Sequence, residues 1–209
     1  KSPVDAGFDV VTSTSHKSMR GPRGGMVLCR KKFAEAIDHA VFPGLQGGPH
    51  MNQVAAIAFM LKKAASEEFK VYAQQVLKNS KALAAALLEM GVKLVTGGTD
   101  NHMMVIDTIT SFNLNGEDSQ VLLDSVGITA NKQVIPDDPL PPREPSGIRL
   151  GTPAATTRGM QEDDMRKIAE WIYSTLSNPE DFNLHKQFRE ESMEFCRKFH
   201  VPGIQDFKN

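Results

Sequence analysis

Cysteine is scarce. Cys29 and Cys196 are the two in 209 residues, with neither metal-ligand spacing nor the numbers for a disulfide framework, so a reducing compartment and a cytoplasmic location are expected. Long apolar runs are missing as well. No stretch approaches the roughly 20 residues that a helix needs to span a bilayer, and none has a signal-peptide pattern. No charge of one sign is in excess. With 24 Lys and Arg against 25 Asp and Glu the net charge is −1, which leaves no basic surplus for a general nucleic-acid binder. Among the histidines, His39, His50, His102 and His200 have no ligand-like spacing, and no metal site is expected. Repeats and low-complexity tracts are absent.

What remains is the composition of a soluble globular protein, 40% apolar and 23% charged, long enough for one domain or one domain with part of another. Residues 8–12 (FDVVT) and 25–29 (GMVLC) read as short strands apolar enough to lie inside a sheet. Arg30, Lys31 and Lys32 open a short helix to about Ile37, read as a solvated helix start. A Gly- and Pro-rich loop covers Phe42 to Gly48. Pro49 suits the first turn of a helix, and Val54, Ile57, Ala58 and Leu61 continue it. Ser66 reads as the N-cap of a longer helix, with Glu67 and Glu68 in its first turn. Phe69, Tyr72, Val76, Leu83, Leu87 and Met90 form its core face, and Gly91 stops it. Strands follow at 92–96, 102–108, 128–130 and 147–150, with a helix over 117–125 after the Asn115-Gly116 turn. The stretch 136–145 (PDDPLPPREP) is a proline-rich loop. Helices over 161–176 and about 179–199 complete the chain. A break near residue 63 divides the end of a large α/β domain (1–63) from a smaller α+β domain (64–209).

The most informative stretch runs from Asp9 to Gly25, DVVTSTSHKSMRGPRGG. A strand runs into the hydroxyls of Thr12, Ser13, Thr14 and Ser15, delivers His16 and Lys17, and breaks at Gly21, Pro22, Gly24 and Gly25. Hydroxyls and a His at a strand end suit an anion. Neighbouring His16, Arg20 and Arg23 put Lys17 in a positive field, which favours the neutral, nucleophilic amine. Such an amine forms Schiff bases with aldehydes, including pyridoxal phosphate. Taken alone, a Lys in a polar loop is more often a plain surface residue. Two further stretches carry chemistry. Gly47-Gly48 before a helix offers open N–H groups to a phosphate, although most such pairs are turns. Arg149, within the apolar strand Gly147-Ile148-Arg149-Leu150, is expected to be paired, since an isolated buried guanidinium is too costly. Its planar fork matches a carboxylate, and an internal salt bridge is the ordinary alternative.

The segment TSTSHKSMRGPRGG closely resembles the cofactor-lysine motif of the serine hydroxymethyltransferases. VFPGLQGGPHMN (Val41 to Asn52) and SGIRLGTPAATTRG (Ser146 to Gly159) match the same family in the same order. The resemblance implies a fold-type I pyridoxal-phosphate transferase of the aspartate-aminotransferase-like fold, of which this chain is the end of the large domain plus the small C-terminal domain. It implies transfer of a one-carbon hydroxymethyl group between serine and tetrahydrofolate, giving glycine. Lys17 would hold pyridoxal 5'-phosphate, His16 would face the cofactor, and Thr14 would hydrogen-bond within the site. Gly47 and Gly48 would reach the cofactor phosphate of a partner subunit, which implies a homodimer with shared active sites. Arg149 would bind the amino acid's carboxylate, and Asn131 would hydrogen-bond the pterin of the folate. Asn in a turn is the simpler alternative for that residue.

Arg20 is left out of the site. The opening Lys-Ser-Pro-Val reads as starting mid-domain, and groups that the family uses for protons and ring stacking are not in this chain. The 209 residues alone are therefore expected to be inactive. A folate-independent threonine or allothreonine aldolase of the same fold, or a non-catalytic dimerisation or folding fragment, stands as the alternative.

Overall fold

A computed structural model describes residues 2–204. The chain divides into two compact units at Lys70/Val71, inside the long helix rather than at the break near residue 63.

In the first unit, β1 (Val10–Thr14) and β2 (Gly25–Cys29) pair antiparallel, with Val10 opposite Cys29 and Thr14 opposite Gly25. The expectation that these strands lie inside a sheet is corrected for the described residues. They form a two-stranded ribbon, and Val10, Val27 and Leu28 are 40%, 44% and 56% exposed. A two-stranded ribbon leaves its apolar side chains exposed wherever no further layer packs against its faces. The helix α1 (Lys31–His39) follows. Its basic start does more than meet solvent: Arg30 Nε and Lys32 Nζ lie 3.0 and 3.5 Å from Asp9 at the foot of β1. A wide turn over Ala40–Leu45, extended at Phe42, leads on. The helix α2 (Met51–Ala64) is capped by His50 in extended geometry, so Pro49 precedes the cap and is not in the first turn.

The helix α3 (Glu67–Glu89) begins as its sequence signals say. Phe69 N–H donates to Ser66 Oγ at 3.2 Å, acids occupy the first turn, and Gly91 follows with φ +82°. Residues 92–96 do not form the expected strand. Leu94 makes one bridge to Ile106, and Thr96 turns left-handed at φ 65° ahead of Gly97 and Gly98, which bends the chain away before a ladder can extend.

The second unit then adds β3 (Met103–Asp107), the short α4 (Thr108–Phe112) and α5 (Gly116–Ser125). Asn115 caps α5 by accepting from Asp118 N–H at 2.8 Å. The strand expected at 128–130 is instead β4 (Asn131–Gln133), because Ile128 N–H is held by Leu123 C=O at 2.9 Å and still closes α5. After the proline-rich loop come β5 (Gly147–Gly151), the short α6 (Pro153–Thr157), α7 (Glu162–Ser177) and α8 (Phe182–Arg197). The sheet order is β3-β5-β4, antiparallel throughout.

One sheet face is apolar. Ile106, Ile148 and Leu150 meet Leu83 and Leu87 of α3, Leu123 of α5 and Met165 and Ile172 of α7 in a single core. Asn79, buried on α3, joins that core to the end of α6 by donating to Thr156 Oγ1 at 2.9 Å and Met160 C=O at 2.8 Å. Asn79→Ala leaves that carbonyl without its donor, and we expect a loss of about 3 kcal/mol in urea unfolding. A loss below about 0.5 kcal/mol would contradict the account.

Candidate functional site

The Lys turn is closed by one buried hydroxyl. Ser15, fully buried, donates from Oγ to Pro22 C=O at 2.6 Å. Its N–H donates to Gly24 C=O at 3.1 Å, and its own carbonyl accepts from Gly21 N–H at 2.8 Å. Both ends of the excursion are thus tied to one residue. At its outer end Arg20 N–H donates to Lys17 C=O at 2.9 Å, with Arg20 in the left-handed region at φ 60°. Lys17 is exposed there, while Thr14 and His16 are half-buried. His16 Nδ1 accepts a long bond from Gly24 N–H, 3.4 Å, which assigns the proton to Nε2 in the neutral ring.

The glycines of this turn do more than break the chain. A Cβ on Gly21 would lie 2.7 Å from Met60 Cγ and 2.8 Å from Ser15 O. One on Gly24 would lie 2.9 Å from Ser15 Oγ and 3.0 Å from Ile57 Cδ1. The turn therefore packs directly on α2, and only glycine leaves the room.

Gly47 and Gly48 lie apart from the turn in sequence, ahead of the His50 cap. Both are exposed, and nothing stands within 4 Å of either Cβ position. Their N–H groups donate to no acceptor among the described residues. They are open donors close to a helix start, although the helix begins at Met51 and not at Pro49.

In the second unit Arg149 and Asn131 are brought together. They are direct register partners across β5 and β4, which puts their Cβ atoms about 5 Å apart. The expectation of a buried, paired Arg149 is corrected. Alternation turns Ile148 and Leu150 into the core and Arg149 out to the open face, where it is exposed. Among the described residues its side chain has no ion pair or hydrogen bond. Asn131 is also exposed and opens β4, so it sits in a strand and not in the turn.

Sequence reading missed Asp138. Its Oδ2 accepts from Ile135 N–H at 3.1 Å and Ser146 N–H at 3.0 Å. Its Oδ1 accepts from Leu140 N–H at 3.0 Å and Ser146 Oγ at 2.6 Å. Burial works to raise this carboxyl, but the Ser146, Leu140 and Ile135 donors outweigh it and hold the pKa down to about 2 from 3.8. The signal was an Asp among prolines, where side chains take over backbone turn bonding. No group of three or more His, Cys, Asp or Glu that could hold a metal ion occurs among the described residues. No described helix is long and apolar enough to cross a membrane.

A family model described as serine hydroxymethyltransferase matches residues 1–172. The chain belongs to the serine hydroxymethyltransferase family. The match takes in the Lys turn, the Gly47-Gly48 segment and the Arg149 strand, and it ends within α7. At family level this is a transferase of the hydroxymethyl group by which serine differs from glycine.

Because the folded pKa of Asp138 is depressed, its clamp is complete above the ordinary value of 3.8 and is lost as pH falls through about 2. Amide exchange at Ile135, Leu140 and Ser146, corrected for intrinsic rates, is expected to speed up together across that window. Protection that stays constant down to pH 2 would contradict the assignment.

Proposed function

We propose that this family member acts with pyridoxal 5'-phosphate and tetrahydrofolate, interconverting serine and glycine within the aspartate-aminotransferase-like fold. The observation that carries the reading is the Lys turn. An exposed amine stands at the outer end of a loop whose two ends are fixed by the buried Ser15, inside the stretch that the family model matches.

The donor set suits the cofactor. Lys17 offers an accessible amine for its aldehyde, and the free N–H groups of Gly47 and Gly48 offer acceptor-hungry partners for its phosphate. When bound, pyridoxal phosphate supplies the electron sink that lets a bond at the amino acid's α-carbon break. The rest falls to the chain. Lys17 would hold the cofactor through its amine, which stands exposed at the tip of the turn. His16, held through Nδ1, would offer its Nε2–H to the cofactor, and Thr14 would offer a hydroxyl. Arg149, unpaired on the open sheet face, receives the substrate carboxylate through two parallel N–H···O bonds. Asn131 beside it donates to and accepts from the pterin edge. The exposed Phe42, Leu45 and Met51 (63%, 85% and 68%) flank Gly47 and Gly48. They support a homodimer in which these glycines serve the second subunit's cofactor.

The test uses the full-length enzyme. Conversion of serine to glycine is expected to require tetrahydrofolate, which separates the proposal from a folate-independent aldolase. Arg149→Ala is expected to raise the KM for serine about 100-fold while the cofactor's visible band persists. Folate-independent serine cleavage would refute the one-carbon reading, and an unchanged KM would refute the role of Arg149.

A further inference from the structure

The loop between β4 and β5 is poor in backbone donors, since five of the ten residues 136–145 are proline. The donors it and its flanks retain at Ile135, Leu140 and Ser146 all go to one carboxylate. Ile135 lies just past the end of β4, and Ser146 directly precedes β5. Ser146 is fully buried, and its carbonyl in turn accepts from Thr108 N–H and Thr108 Oγ1, both at 2.9 Å. The strands close tightly at this end: a Cβ on Gly147 would lie 2.6 Å from Ile135 Cγ2 and 3.0 Å from Gln133 O. Asp137 beside the clamp is left-handed at φ 53°, a conformation that the four bonds to Asp138 hold in place.

Arg149 stands two positions along β5 from Gly147, on the same face. With no side-chain partner among the described residues, its fork is aimed by the backbone that carries it. Bidentate carboxylate binding tolerates little displacement. We propose that Asp138 is a positioning residue for substrate binding: it locks the ends of β4 and β5 in the register that sets Asn131 opposite Arg149. The proposal rests on the reading of Arg149 and Asn131 as substrate-binding residues.

Asp138→Asn replaces one acceptor oxygen by an amide that faces two donors. In the full-length holoenzyme, glycine Kd from spectral titration and serine KM are both expected to rise about tenfold, with kcat changed less than threefold. Cofactor absorbance and affinity stay unchanged. Ser146→Ala removes only the 2.6 Å bond and is expected to shift the same two quantities about threefold. Adding Asp138→Asn to Arg149→Ala is expected to weaken glycine no further, because the fork that Asp138 aims is gone. A purely structural clamp would lower the melting temperature and leave glycine Kd within twofold of wild type, and that result overturns the proposal. Full additivity in the double variant overturns it as well. Should Asp138→Asn fail to fold, Ser146→Ala decides by the same two readouts. If Arg149→Ala binds glycine normally, the underlying reading has failed and the positioning role goes with it. If only Asp138→Asn and Ser146→Ala are silent, the positioning role alone is lost.

Discussion

Burial of Ile148 and Leu150 is the constraint on which the second unit depends. β5 is the central strand of a three-stranded sheet, so its side chains cannot slip by one residue without exchanging core for solvent. With Ile148 fully buried against α3, α5 and α7, Arg149 has to face outward. The hydrophobic effect thus presents a guanidinium that needs no salt bridge to avoid a desolvation penalty, and leaves it free to bind an anion. Its neighbour on the open face comes from the strand pairing, which sets Asn131 of β4 opposite Arg149.

A smaller device of the same kind governs the first unit. There a buried hydroxyl takes the place of a hydrophobic core. Ser15 satisfies both of its backbone groups and its side chain within the turn that it closes, so no buried polar atom of it is orphaned. The outward half of the turn then carries Lys17 and His16, and Ile57 and Met60 of α2 press against its glycines. Rigidity at the base and exposure at the tip suit a nucleophile that must be placed and yet be reached.

The helices with caps and strong periodicity were legible in the sequence. Ser66 and the acids after it give the start of α3, because a short polar side chain satisfies free N–H groups locally, and the Asn115-Gly116 turn gives that of α5 to within one residue. The strands were less legible. β4 was displaced because a helix-closing bond at Ile128 extends beyond the helical pattern, and 92–96 bends away at left-handed Thr96. The helices α4 and α6 are too short to show a period. At the site, the residue types were legible and their environments were not. The apolar neighbours of Arg149 point to burial, although alternation in a one-sided sheet gives the opposite result. The role of Asp138 is not legible, because it depends on where a proline-rich loop brings distant amides, which composition does not specify.

We propose that Lys17 is the residue that holds the cofactor. This is tested most directly by reducing the full-length holoenzyme with borohydride and mapping the modified peptide by mass spectrometry. The account predicts a stable pyridoxyl adduct on Lys17 in the peptide that contains His16. A holoenzyme whose adduct maps to another lysine, or that yields no adduct at all, would contradict it.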